Sequence, residues 1–273
     1  MKGSLLVRLR AERRLARLSS ALLARLRPAI RLKTFPCREE ALPLGATRIG
    51  GRPDLTDEIA WPRWRGQPLA FLAQINLSDL VGFPSAQILP NRGWLVFFYD
   101  AEQSTWGFDP QDRGSWAVLF MPDDGKSLRR RGAWMPYSPC RVEMSEVLTA
   151  PPPDSLAVMA LELDEREALA YEALWQVAQP EVAHQLLGYP LPLQGDMQLE
   201  CEYVSKGRYC GGGVPWVEEE AARARDWRLL FQLDTDAHAG MMWGDAGRLY
   251  FWIRQIDLRR RDFGRTWMIL QCS

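Results

Sequence analysis

Two stretches of the chain carry short, almost uninterrupted apolar runs. One begins PLAFLAQINLSDL at Pro68 and ends GWLVFFY at Tyr99; the other begins WRLLFQLD at Trp227 and ends GRLYFWI at Ile253. The runs are rich in aromatic and branched residues and are bounded by Gly, Pro and Asp. That pattern predicts strands. Little alternation appears in WLVFFY or LYFWI, so both faces of these strands are predicted to be covered. Each stretch has one Gln inside its apolar run, Gln74 and Gln232. A buried amide must hydrogen-bond, because leaving it unpaired costs roughly 1–3 kcal/mol. Two uses are open for this pair: bracing a neighbouring loop, or pointing into a ligand cleft between two halves.

The stretches align with each other. FLAQIN (71–76) matches LLFQLD (229–234), and GWLVFFY (93–99) matches GRLYFWI (247–253). Each is preceded by a Gly-x-Pro, Gly51-Arg52-Pro53 and Gly188-Tyr189-Pro190. Two copies predict an internal duplication, with pseudo-repeats at about 47–150 and 184–273, rather than a solenoid of many short units. Further strands are predicted over 115–121, 141–147, 156–163 and 266–272. Asp164 and Glu167 form a capping box for a helix running to about Ala178, which breaks at Pro180, restarts, and stops at Gly188. A short helix is predicted over 216–226. The stiff APPP segment (150–153) is the expected boundary between halves. The fold class is α+β: largely antiparallel sheets with inserted helices.

Residues 4–32 read differently. Leu5, Leu9, Leu15, Leu18, Leu22, Leu26 and Ile30 recur at mostly helical steps among arginines, and Pro28 ends or kinks the helix. The formal charge of zero hides a division: residues 1–35 carry ten Lys or Arg and one acid, so the remainder is net acidic. The chain therefore divides into a basic amphipathic extension (1–35) and a domain (36–273). The extension has three readings: a cover for its own acidic body, a dock for an acidic partner, or a peripheral membrane contact on anionic lipid. Its composition also resembles an organellar transit peptide. An acidic body argues against nucleic acid as a partner. Five cysteines without a CxxC read as reduced thiols in a cytoplasmic protein, and no run of 18 apolar residues predicts a membrane span.

Candidate chemistry is sparse. There are two histidines, His184 and His238, and neither GxSxG nor HExxH occurs. No spacing selects one of the five thiols for a Cys–His dyad. The acidic cluster best suited to chemistry is Asp234-Thr235-Asp236, followed by His238 and then Asp245. Alternating Asp residues on a loop suit an oxygen-seeking divalent cation, and Asp and Gly are equally ordinary turn formers. Arg48 and Arg52 flank Gly50-Gly51, which offers an anion site or a tight turn. The candidates for ligand contact are Arg48, Gln74, His184, Gln232, Trp243 and Asp245; for a cation they are Asp234, Asp236 and Asp245. No catalytic residue and no organic cofactor is nominated.

Several of these motifs occur together in one order: RIGGRPDL (48–55), Trp61-Pro62, LAFLAQINL (69–77), GWLVFFYD (93–100), HQLLGYPLPLQGDM (184–197), LLFQLD, MMWGDAGRLYFWI (241–253) and the terminal ILQC. In this the chain resembles the YwqG family, bacterial proteins grouped as a domain of unknown function, over about residues 40–273. The resemblance implies a compact α+β fold with internal duplication. It carries over no enzyme activity and no catalytic residues, and the basic extension lies outside it. The expected function is a non-catalytic binding module, engaging a small ligand or a protein partner in a cleft between the duplicated halves. The alternatives are a carboxylate- or metal-assisted enzyme acting on a small polar substrate, and a peripheral membrane protein anchored by residues 1–35.

Overall fold

A computed structural model describes residues 5–123, 127–132, 134–177 and 179–272. Ten strands form one antiparallel sheet: β1 (Arg27–Pro36), β2 (Arg48–Ile49), β3 (Ala70–Asn76), β4 (Trp94–Tyr99), β5 (Trp116–Met121), β6 (Cys140–Thr149), β7 (Gln185–Leu186), β8 (Trp227–Asp234), β9 (Arg248–Arg254) and β10 (Trp267–Gln271). Their order is β10-β9-β8-β7-β1-β6-β2-β3-β4-β5. The long β1–β6 pair, in register from Arg27↔Thr149 to Pro36↔Cys140, is the middle of the sheet. On either side lies an arm of four strands.

The arms are wired alike. β2 pairs β3 with Arg48 opposite Gln74, and β7 pairs β8 with Gln185 opposite Gln232. The β3–β4 ladder slips between Phe71 and Ala73; the β8–β9 ladder slips between Leu229 and Phe231. The sheet curls until its two outer strands meet. The rings of Trp116 on β5 and Trp267 on β10 lie 4.9 Å apart edge to face, and the Trp116 indole donates to the Thr266 carbonyl. Inside the curl, Phe97 of one arm packs on Phe231 and Phe251 of the other, at 4.6 and 5.2 Å between ring centres. The halves therefore share one core. Fully burying one such ring contributes roughly 1.5–3 kcal/mol.

The amino-terminal segment departs from expectation. In place of one helix over 4–32 the chain forms α1 (Leu5–Ala11) and α2 (Ser19–Leu23) and then enters β1 at Arg27. Pro28 cannot donate within a helix and pushes Arg27 toward extended backbone. From there Ile30, Leu32 and Thr34 alternate inward as a strand requires. A boundary at residue 35 thus cuts through the central strand, and residues 27–35 belong to the main body. The first four residues of the basic segment, Lys2 among them, lie outside the described residues. Leu9, Leu15, Leu18 and Leu22 are buried in a cluster with Ala170, Tyr171 and Leu174.

Residues 156–163 are not a strand; they begin with α3 (Leu156–Met159), a short apolar run whose type periodicity alone does not decide. The next helix, α4 (Glu165–Val177), starts on the predicted capping box: the Glu167 amide donates to Asp164 at 2.8 Å and the Asp164 amide to Glu167 at 3.0 Å. Its predicted end at Ala178 lies outside the described residues. No helix restarts after Pro180, because 185–186 is taken into the sheet as β7. Gly188 has a left-handed φ of 70° in the turn after β7, where a Cβ would meet Ala29 at 2.6 Å. The chain also forms α5 (Gln198–Val204), α6 (Glu218–Ala224) and α7 (Gln255–Arg259). Among the described residues no helix is long and apolar enough to cross a membrane.

Candidate functional site

Gln74 and Gln232 do the same work in their two arms. Gln74 accepts from the Asp54 amide at 2.8 Å and donates to the Ala46 carbonyl at 3.1 Å. Gln232 accepts from the Leu191 amide at 2.8 Å and donates to the Ala183 carbonyl at 2.6 Å. Each amide ties both ends of the loop that crosses its arm. Arg48, also fully buried, bonds Asp54 at 2.7 Å and Glu39 at 3.0 Å, and donates to the carbonyls of Pro43 and Arg52. Burial lowers its pKa and the Asp54 charge opposes that fall. Arg130 shares both carboxylates, at 2.9 Å from Asp54 and 3.2 Å from Glu39.

The second arm gathers four more of the nominated residues. His184 Nδ1 accepts the Asp234 backbone N–H at 3.0 Å, so the ring proton sits on Nε2 and points at Asp236 Oδ2, 3.0 Å away. Asp236 also accepts from Thr34 Oγ1 at 2.6 Å and from the His238 amide at 2.8 Å. Burial would raise its pKa, but the bonds from His184, Thr34 and the His238 amide overcome this and bring it down to about 2. Asp234 bonds Arg248 and the Ala183 amide, both at 2.8 Å. Trp243 is buried, with its indole on the Asp234 carbonyl at 3.1 Å. Asp245 is exposed in the turn before β9. Among the described residues no group of three or more His, Cys, Asp or Glu is placed to hold a metal ion. The structure thus joins His184, Asp234, Asp236 and Trp243, leaves Asp245 at the surface, and keeps Arg48 and Gln74 in the other arm.

Beside this cluster lies a cavity of about 500 Å³ bounded by segments 31–34, 180–182 and 236–238. Exposed His238 stands at it, with Nδ1 3.3 Å from Thr34 Oγ1. Arg31 also lines it; burial and the neighbouring charge of Arg248 pull its pKa down to about 10.

A larger cleft, about 560 Å³, opens where β1 and β8 begin and β7 ends. The first half supplies the connection between β3 and β4, through the 3-10 helix Pro84–Ile88 and Leu89-Pro90; the second half supplies Leu187-Gly188, Arg228-Leu229 and α7. Four arginines stand around it: Arg27, Arg228, Arg259 and Arg261. Among the described residues none of them pairs with a carboxylate. The Arg27 guanidinium lies 4.2 Å from the centre of the Tyr189 ring, and burial lowers its pKa, with Tyr189 opposing and Arg228 adding to the fall. Arg228 bonds the Arg225 carbonyl at 2.9 Å and Gln255 at 3.3 Å. The buried Ser85 hydroxyl also lines the cleft and has no hydrogen-bond partner among the described residues. Sequence reasoning missed these residues because they come from separate elements; the run Leu258-Arg259-Arg260-Arg261 is the one local signal.

The model of a family described as a domain of unknown function, DUF1963, matches residues 47–272, most of the chain. A search of curated proteins found no match.

Proposed function

This chain belongs to the DUF1963 family, and we propose that it is a non-catalytic binding module taking a small ligand in the cleft between its two halves. One observation carries the reading. The cleft is walled by both halves and its four arginines lack carboxylate partners among the described residues, whereas Arg48, Gln74, Gln232, Asp234 and Asp236 are all bonded within the protein. A charge or amide that is already satisfied has little left to offer a ligand; an unpaired one beside apolar walls does. The nominated polar residues enter this reading as supports of the loops rather than as contacts. A small-fragment screen followed by backbone amide NMR tests it. Binders are expected to shift the amides of segments 85–89, 187–188, 228–229 and 255–261 together. Binders that shift other segments only, or none at all, would refute it.

The finer placement within a YwqG-like bacterial group, an origin of the two arms by duplication, and a cytoplasmic home belong to the same proposal. The alike wiring of β2–β5 and β7–β10 supports duplication, and five unbridged cysteines support a reducing compartment. Membrane anchoring by residues 1–35 draws less support, since four of its leucines are already covered by the protein itself.

A second reading is favoured by the convergence of both histidines on Asp236. In it, His238 exchanges protons with a small polar substrate in the 500 Å³ cavity, oriented by Asp236; a cation shared by Asp234, Asp236 and Asp245 does not enter it, since no such group is assembled among the described residues. Turnover in a panel of phosphate and carboxylate esters, abolished by His238→Gln, is its expected result; no turnover across the panel would sink it.

A further inference from the structure

We infer that the ligand of the inter-half cleft is an amphipathic anion, a phosphate- or carboxylate-type head group on an apolar body. The inference rests on the cleft being the binding site and names the chemistry that site selects. No Asp or Glu lines the cleft, so its four guanidinium groups outnumber the carboxylates near it, of which Glu146 accepts from the Ser85 amide at the wall. Arg259 and Arg261 are exposed, and Arg27 and Arg228, held by the Tyr189 ring and by the Arg225 carbonyl and Gln255, keep further N–H groups to meet an anion with planar, two-pronged hydrogen bonds.

Ser85 adds a second, independent requirement. Its residue is 7% exposed and its hydroxyl has no partner among the described residues, while its backbone amide is fixed by Glu146 at 2.9 Å. A buried hydroxyl is at once a donor and an acceptor, and it needs a polar group to come to it. Meanwhile Leu89, Leu187, Leu229 and Leu258 form an apolar floor, and Ile88 is exposed at the same cleft. A bare inorganic anion would leave that floor wet, and a neutral amphiphile would leave the guanidinium groups unmatched. An anionic head with an apolar tail satisfies both.

Monomeric octyl phosphate, octanoate, octyl glucoside, octyltrimethylammonium and inorganic phosphate, titrated calorimetrically into the full chain below their micelle concentrations, test the inference. Octyl phosphate or octanoate is expected to bind at least about tenfold more tightly than octyl glucoside and than inorganic phosphate. The preference should shrink with added salt. Arg228→Gln with Arg259→Gln should remove it, and Ser85→Ala should weaken binding by roughly two- to tenfold. Equal binding of anionic, neutral and cationic probes would overturn the inference and leave the cleft reading standing, as would full anion affinity in the double variant. Absence of binding by every probe would overturn both. Vesicles of phosphatidylglycerol and phosphatidylcholine distinguish the source: cosedimentation lost in the double variant identifies a membrane lipid, and binding of the monomer without cosedimentation identifies a soluble amphiphile.

Discussion

Arg48 and Arg27 sit in the same sheet under opposite circumstances. Arg48 is fully buried and meets two carboxylates and two carbonyls. Arg27 is half-buried, lies over Tyr189, faces Arg228, and has no carboxylate partner among the described residues. The first arginine is part of the scaffold: its charge is spent holding the 39–54 segment against the first arm. The second leaves its charge available at a cleft. Number of partners, not residue type, separates these two arginines, and the proposed binding role of the cleft rests on that difference.

The sharpest way to break that contrast is Arg48→Met. It would strand Asp54 and Glu39 with Arg130 as their remaining strong partner, and removing one member of a buried pair costs about 3–5 kcal/mol. Urea unfolding should show that loss; a change below about 1 kcal/mol would mean that Arg48 is not structural. Gln74→Ala and Gln232→Ala come next. Each removes two bonds and leaves a buried amide and carbonyl unpaired, costing roughly 2–4 kcal/mol. Their costs should agree within about 1 kcal/mol, and a large inequality would break the likeness between arms.

A smaller effect appears with pH. Asp236 titrates at about 2 in the folded chain against 3.8 as its ordinary value. Its contribution is therefore complete above about pH 4 and is lost as pH falls toward 2. Asp236→Asn should flatten that part of the acid-unfolding curve, and an unchanged acid limb would contradict the assigned hydrogen bonds. Smallest of all, Arg228→Gln with Arg259→Gln should leave stability within about 0.5 kcal/mol, since neither residue holds a carboxylate among the described residues. A loss near that of Arg48→Met would make these arginines structural and erase the contrast.

How far each feature was legible follows from where its information lies. FLAQIN and LLFQLD read as strands because their apolar runs are short and bounded; the cost of an unpaired buried amide demands partners for the two Gln, and the structure supplies the loop-bracing one of the two open uses. The capping box at Asp164 and Glu167 needs only residues three apart. The amino-terminal reading failed where helical leucine spacing ran on through Ile30, while Pro28 and the demand of a central β6 partner turned 27–36 into a strand. The cleft was illegible because Arg27, Ser85, Arg228 and Arg259 are brought together by tertiary pairing alone. β1 must lie beside β7 and β7 beside β8, through Arg31↔Gln185 and Gln185↔Gln232, before those arginines share a wall.

A crystal structure of the chain with octyl phosphate would test the account most directly. The phosphate is predicted within hydrogen-bond range of Arg27, Arg228 and Ser85, with the alkyl chain along Leu229 and Leu258. Octyl phosphate ordered instead beside Thr34 and His238, or the cleft arginines found without it at saturating concentration, would contradict it.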